Sequence, residues 1–305
     1  GEVRVDTLGL PQECFAAVRA DALGVAAPML RDALPVRAID SHKGRHGRVL
    51  CIGGDTGMEG ALVLCAETAA RSGAGSVLAW TRPAAVAALH ARRPEVMARA
   101  IDVVFESRRD VAADPAPLSD AIAASSANVI ACGPGLGRGT WGRALFAAAL
   151  QTPLSLVLDA DALTLLAEAP GALPGAVLTP HPGEAARLLG WTTAQVQADL
   201  YATLDALVSR YQCAVVLKGA GTLIGAPGET PRVVRAGNAG MASAGMGDVL
   251  CGVIAALRAQ GLAAFEAAWV GALAHSVAGD IAAGRHPRGL LAGDLIDALR
   301  EVLNP

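Results

Sequence analysis

Three short stretches hold residues whose types and spacing suit phosphoryl transfer. In "GNAGMASAGMGDVLCG" (237–252) five glycines surround one acid, Asp248, where a glycine-rich turn passes into an apolar, helix-like run. Unpaired NH groups at a helix start, with the positive end of the helix dipole, make an anion site, and glycine lets a phosphate approach the backbone closely. Gly245 and Gly247 stand at that start. Asp248, in the first turn, is expected to stay ionised under the dipole and to take the proton from an attacking hydroxyl. Earlier in the chain, "VVLKGAGTL" (215–223) ends an apolar run in Lys218, Gly219, Ala220, Gly221 and Thr222, placing an ammonium beside a glycine turn. Lys218 and Lys43 are the only lysines among 25 cationic residues, so the compact ammonium at Lys218 stands out against a strong arginine bias. In "LTPHPGEAARLLG" (178–190) Pro182 fits the first turn of a helix, His181 just precedes it and Glu184 lies within it. Glu184 either offsets the helix dipole or organises a metal-bound water, with His181 facing a ligand crevice.

The elements that must position these groups alternate. Strand-like runs fall at 48–54, 76–80, 127–133, 154–160, 175–180 and 213–219, with helical spacing between most of them, as at 58–72, 140–150 and 193–210. Apolar strands without inner and outer alternation, separated by helices, predict a mostly parallel sheet covered on both faces. "TLIG" and "RVVRAG", joined by "APGET", read as an antiparallel hairpin, and helices follow at about 246–259, 264–283 and 291–302. In such sheets ligands sit beyond the carboxyl ends of the strands, which is where the glycine clusters fall.

Composition removes several classes. The net charge is −3 with mixed signs and there are ten aromatic residues, so neither a basic footprint nor stacking platforms for nucleic acid are present. Apolar runs are broken by charge before the ~18 residues of a membrane span, and the opening "GEVRVDTLGLPQ" lacks the pattern of a signal peptide. Six cysteines without C-x-x-C spacing, five of them in apolar runs, read as buried free thiols in a reducing cytoplasm. "CIGGDTGMEGA" and "GPGLGRG" miss G-x-G-x-x-G and lack the downstream ribose-binding acid, which disfavours a dehydrogenase, and Lys218 lacks a Walker A frame.

The G-x-G-D helix start resembles the ribokinase-like superfamily. The wider set, "DSHKGRHGRVLCIGG", "GPGLGRG", "LDADAL", "LTPHPGE", "LKGAGT" and "GNAGMASAGMGDVLCG", is similar to the ADP-dependent NAD(P)H-hydrate dehydratases, in the family's order from about residue 40 onward. The resemblance implies a three-layer α/β fold with a mostly parallel central sheet, residues 1–40 being linker-like and 41–305 the dehydratase domain. It implies that Asp248 is the acid/base contacting the hydrate, while Ala61, Gly135, Gly137 and His181 line the hydrate site. Lys218, Gly219, Ala220, Gly221 and Thr222, with Gly245 and Gly247, would hold the adenine nucleotide, and Glu184 matches the acid associated with Mg²⁺. ADP would phosphorylate the ring hydroxyl of the hydrated cofactor, and elimination of phosphate would restore NAD(P)H. Two departures concern local fit: Ala244 replaces a common second glycine, and Thr164 a common asparagine.

A cytoplasmic homo-oligomer is expected, with no membrane or nucleic-acid partner. "VRVDTLGLP" resembles the segment joining an NAD(P)H-hydrate epimerase domain to the dehydratase in fused bifunctional proteins, so an epimerase, fused or separate, is the expected partner. Two other readings remain at this level. A small-molecule hydroxyl kinase of the same superfamily would share Lys218 and Asp248 but lack the "HPGE" and first-loop matches. A non-catalytic nucleotide sensor would be expected to lose Asp248, which is intact.

Overall fold

A computed structural model describes residues 6–16, 18, 20–101 and 116–305. Ten strands form one sheet: β1 (Leu23–Val25), β2 (Arg48–Ile52), β3 (Ser76–Thr81), β4 (Met97–Ala100), β5 (Val129–Cys132), β6 (Ser155–Leu158), β7 (Val177–Leu178), β8 (Ala214–Leu217), β9 (Thr222–Gly225) and β10 (Arg232–Val234). Their order is β1-β10-β9-β8-β7-β6-β5-β2-β3-β4. Every pairing is parallel except those of β9, which runs antiparallel to β8 and to β10, as the hairpin reading expects.

Successive residues of β2 explain why its apolar run does not alternate. Val49 and Cys51 enter one core cluster, Leu50 and Ile52 the other, and all four are fully buried. Helices Glu59–Arg71, Met246–Ala259, Ala264–Ala283 and Ala292–Val302 cover the first face. Helices Thr140–Leu150, Asp161–Glu168, Pro182–Leu189 and Leu200–Tyr211 cover the second, completing three layers. The strands β1 and β4 escape sequence reading because they are short edge strands with mostly exposed residues. The expected 193–210 helix is two helices, Thr193–Ala198 and Leu200–Tyr211. Asp199 breaks it by adopting extended backbone and accepting a hydrogen bond from Ala202 N at 2.9 Å as an N-cap. Five cysteines are buried and all six are free. Among the described residues no helix is long and apolar enough to cross a membrane.

The loops at the carboxyl ends of β2 and β5 interlock. Gly54 N donates to Pro134 O at 3.1 Å and Asp55 N to Gly135 O at 2.6 Å. Gly133, at φ +129°, leaves room for the neighbouring strand end: a Cβ there would sit 1.8 Å from Asp159 O. Gly133→Ala therefore forces main chain apart beneath the site. We expect a loss on the order of 3 kcal/mol or more of unfolding free energy, read by denaturant titration. An unchanged midpoint would contradict this close approach.

Candidate active site

Three adjacent parallel strands deliver the polar centre. Asp159 directly follows β6, Thr179 directly follows β7 and Lys218 directly follows β8. Asp159 is 2% exposed, and its Oδ1 accepts hydrogen bonds from Lys218 Nζ and Thr179 Oγ1, each at 2.7 Å. Lys218 N donates to Pro180 O at 2.9 Å, which fixes the end of β8 against the loop after β7. Burial pulls the lysine's pKa down, but Asp159 and Glu184 outweigh it, so the net shift is upward and the ammonium is kept.

The loop after β7 then enters the Pro182–Leu189 helix. His181 caps it: Nδ1 accepts from Gly183 N at 3.0 Å and Glu184 N at 3.3 Å, while Glu184 Oε2 accepts from His181 N at 2.8 Å. This reciprocal capping box fixes both side chains. Because Nδ1 accepts, Nε2 carries the proton of the neutral ring. Burial first, then the Lys218 charge, lowers the His181 pKa and keeps it neutral. Glu184, 8% exposed, lies 3.8 Å from Lys218 Nζ, and burial raises its pKa. Glu184 is thus the capping carboxylate of this helix and also stands beside the buried Asp159–Lys218 pair.

The Met246–Ala259 helix completes the centre. Gly245 is its N-cap at φ +91°, and no side chain caps that end. A Cβ on Gly247 would lie 3.2 Å from both Asp159 Oδ2 and Lys218 Nζ, so the helix start abuts the ion pair. His275, 8% exposed, donates from Nε2 to Met246 O at 2.9 Å, and burial lowers its pKa to about 4. Asp248 departs from the expectation that the dipole keeps it ionised. Burial, together with the nearby Asp159 and Glu184 carboxylates and against Lys218, raises its pKa to about 7. A carboxylate poised there exchanges a proton at neutral pH, which suits a general base.

Two cavities flank this helix start. One, of about 660 Å³, is lined by Ala61, Gly135, His181, Glu184 and Asp248, among others. The other, of about 770 Å³, is lined by Lys218, Gly219, Ala220, Gly221, Thr222 and Gly247, with His275 and Asn238 on further walls. The sequence-predicted hydrate and nucleotide residues therefore separate into two neighbouring spaces. Gly137 and Gly245 line neither. Gly137 N instead donates to Asp161 Oδ2 at 2.9 Å, and Gly245 packs near Leu64 and Ala292.

The donor set also bears on a metal. Among the described residues no cluster of three His, Cys, Asp or Glu side chains is placed to hold an ion. Glu184 accepts from backbone, and Asp159 from Lys218 and Thr179. With these carboxylates already engaged by protein donors, the described residues do not fit a resident all-protein Mg²⁺ site and fit an ion that arrives with nucleotide phosphates.

Sequence reading missed Asp159, His275 and Asn238. Asp159 lies in the quoted "LDADAL", where an acid at a strand's carboxyl end was the available signal. Asn238 orders one wall by donating from Nδ2 to Asp280 Oδ1 at 2.9 Å and accepting at Oδ1 from Gly240 N at 3.0 Å.

A profile of the NAD(P)H-hydrate dehydratase family matches residues 49–301. The bifunctional NAD(P)H-hydrate repair enzyme of Coxiella burnetii is 45% identical over 306 aligned residues, covering 100% of this chain and 60% of that protein. The Escherichia coli counterpart is 41% identical, with 56% of it covered, so the chain spans little more than half the length of these relatives. The ADP-dependent (S)-NAD(P)H-hydrate dehydratase of Neisseria meningitidis is 41% identical, with 88% of each chain covered. A ribokinase-like superfamily protein of Enterococcus faecalis superposes with a TM-score of 0.81 at 28% identity, covering 94% of this chain and 96% of that one. The ADP/ATP-dependent NAD(P)H-hydrate dehydratase of Bacillus subtilis, co-crystallized with ATP/Mg²⁺, superposes with a TM-score of 0.78 at 26% identity, covering 92% and 97%. The fold is ribokinase-like, and the chain belongs to the NAD(P)H-hydrate dehydratase family.

Proposed function

We propose that this chain catalyses the ADP-dependent dehydration of (6S)-NADHX and (6S)-NADPHX to NADH and NADPH. One observation carries the reading: consecutive residues of one helix start belong to different cavities, Gly247 to the Lys218 side and Asp248 to the His181 side. A phosphoryl group bound at the helix N-terminus would meet a hydroxyl bound beside Asp248.

Lys218, the glycine turn after it and the first-turn NH groups bind and orient the phosphates of ADP. Asp248 takes the proton of the ring hydroxyl as its oxygen bonds to phosphorus, and AMP leaves. Elimination then breaks the ring carbon–oxygen bond. Phosphate departs with that electron pair, and a neighbouring ring carbon loses a proton to leave the double bond of the dihydronicotinamide. Phosphate leaves far more readily than hydroxide, which gives the phosphorylation its purpose. Mg²⁺, when bound with the nucleotide, supplies charge neutralisation on the phosphates.

The reading is tested by mixing the purified chain with NADH hydrate, Mg²⁺ and ADP, ATP or no nucleotide, and following dihydronicotinamide absorbance. Recovery only with nucleotide is the expected result. Folded protein that restores no absorbance with either nucleotide would overturn it.

A further inference from the structure

The cavity beside Asp248 is lined by three acids, Asp161, Glu184 and Asp248, and by a single Lys or Arg side chain, Arg187. A dinucleotide hydrate carries a doubly charged pyrophosphate between its two nucleosides. Near the acids that anion would be repelled, so it must be held where the lining is cationic. Arg138 and Arg143 direct their charge to Asp161 at 4.0 Å and Glu168 at 2.5 Å. Arg187 makes no ion pair among the described residues. Its Nη1 donates to Thr164 Oγ1 at 3.1 Å, and Thr164 lines the same cavity. The side chain is exposed at the protein surface and rises one turn beyond Glu184 on the Pro182–Leu189 helix. A planar guanidinium oriented by a hydroxyl, with no ion-pair partner within salt-bridge distance among the described residues and set at a cavity wall, is suited to forked hydrogen bonds with phosphate oxygens.

We propose that Arg187, oriented by Thr164, binds the pyrophosphate of the dinucleotide hydrate and so selects dinucleotide over nucleoside hydrates. This rests on the hydrate activity proposed above. The plainer role for Arg187, complementing the negative end of its helix dipole, predicts a change in stability without a change in substrate preference.

The test compares wild type, Arg187→Ala, Arg187→Lys and Thr164→Val at saturating ADP. The substrates are NADH hydrate, NADPH hydrate and the hydrate of reduced nicotinamide riboside, which has no phosphate. In Arg187→Ala the ratio of kcat/KM for NADH hydrate to that for the riboside hydrate should fall roughly tenfold to hundredfold, mainly through KM. NADPH hydrate should follow NADH hydrate, Arg187→Lys should recover part of the ratio, and Thr164→Val should show a smaller fall. An unchanged ratio overturns the inference, as does an effect confined to NADPH hydrate, which would assign Arg187 to the 2′-phosphate. Wild type that is inactive on every hydrate overturns the activity reading and this inference with it. Active wild type with an unchanged ratio in Arg187→Ala overturns this inference alone.

Discussion

Asp248→Asn should lose at least about a hundredfold in turnover while binding ADP nearly as wild type does. Asparagine matches the shape of aspartate and keeps the glycine turn, but it cannot accept the hydroxyl proton. The groups proposed to bind phosphate, Lys218 and the loop through Thr222, line the other cavity and are left intact. The pH dependence supplies a second signature. With the Asp248 pKa near 7, wild-type kcat/KM should fall along a one-proton limb as pH drops below about 7, because the base is then protonated. That limb should vanish in the variant.

Stability moves in the opposite sense. The folded pKa of Asp248 lies above its ordinary carboxylate value of 3.8, so the native state holds the proton more tightly than the unfolded chain. Native stability from this group is therefore lost as pH rises from about 4 to about 7, and the cost is fully present above that window. Asp248→Asn removes the cost, so its gain in thermal midpoint over wild type should be larger at pH 8 than at pH 4. A variant with near-wild-type turnover would contradict the assignment of the base. A stability difference independent of pH would contradict the raised pKa.

Lys218→Met should damage both folding and nucleotide binding. The variant leaves Asp159, 2% exposed, with the Thr179 hydroxyl but without the ammonium at 2.7 Å. Breaking a buried pair from one side costs roughly 3–5 kcal/mol. The lower end, about 3 kcal/mol, is expected because the lysine side chain keeps 21% exposure. Adding Asp159→Asn removes the uncompensated carboxylate, so the double variant should be more stable than Lys218→Met alone. ADP affinity should fall roughly tenfold to hundredfold in both, since a charge-assisted contact is gone. In Lys218→Met, where Asp159 is kept, any residual activity should show its acidic limb at higher pH, because Lys218 opposes the upward shift of Asp248. Denaturant titration and ADP binding check these outcomes. A double variant no more stable than the single one would show that the Asp159–Lys218 pair does not govern this centre.

Much of this architecture can be read along the chain because its signals are local. Apolar runs such as "RVLCI" announce strands covered on both faces, and the G-x-G-D turn announces a helix start that leaves its NH groups open. The hairpin of β9 and β10 and the helices around 246–259 and 264–283 follow from the same reasoning. What escapes is what depends on neighbours distant in sequence. Asp159 gains its role because β6, β7 and β8 lie side by side, bringing it to Thr179 and Lys218. His275 sits in a nearly uniformly apolar helix, so its contact with Met246 O has no sequence signature. The proton affinity of Asp248 ran against the local dipole argument for the same reason: burial and the acids Asp159, Glu184 and Asp161, distant in sequence, outweigh the helix on which it sits.

The most direct test counts products in one reaction. The wild-type chain is incubated with (6S)-NADH hydrate, ADP and Mg²⁺, and NADH, AMP and inorganic phosphate are quantified together over the same time course. Phosphoryl transfer followed by elimination predicts equal amounts of all three. AMP with a phosphorylated hydrate but no NADH would make this a hydroxyl kinase, and NADH formed without consumption of ADP would contradict phosphoryl transfer at the junction of the two cavities.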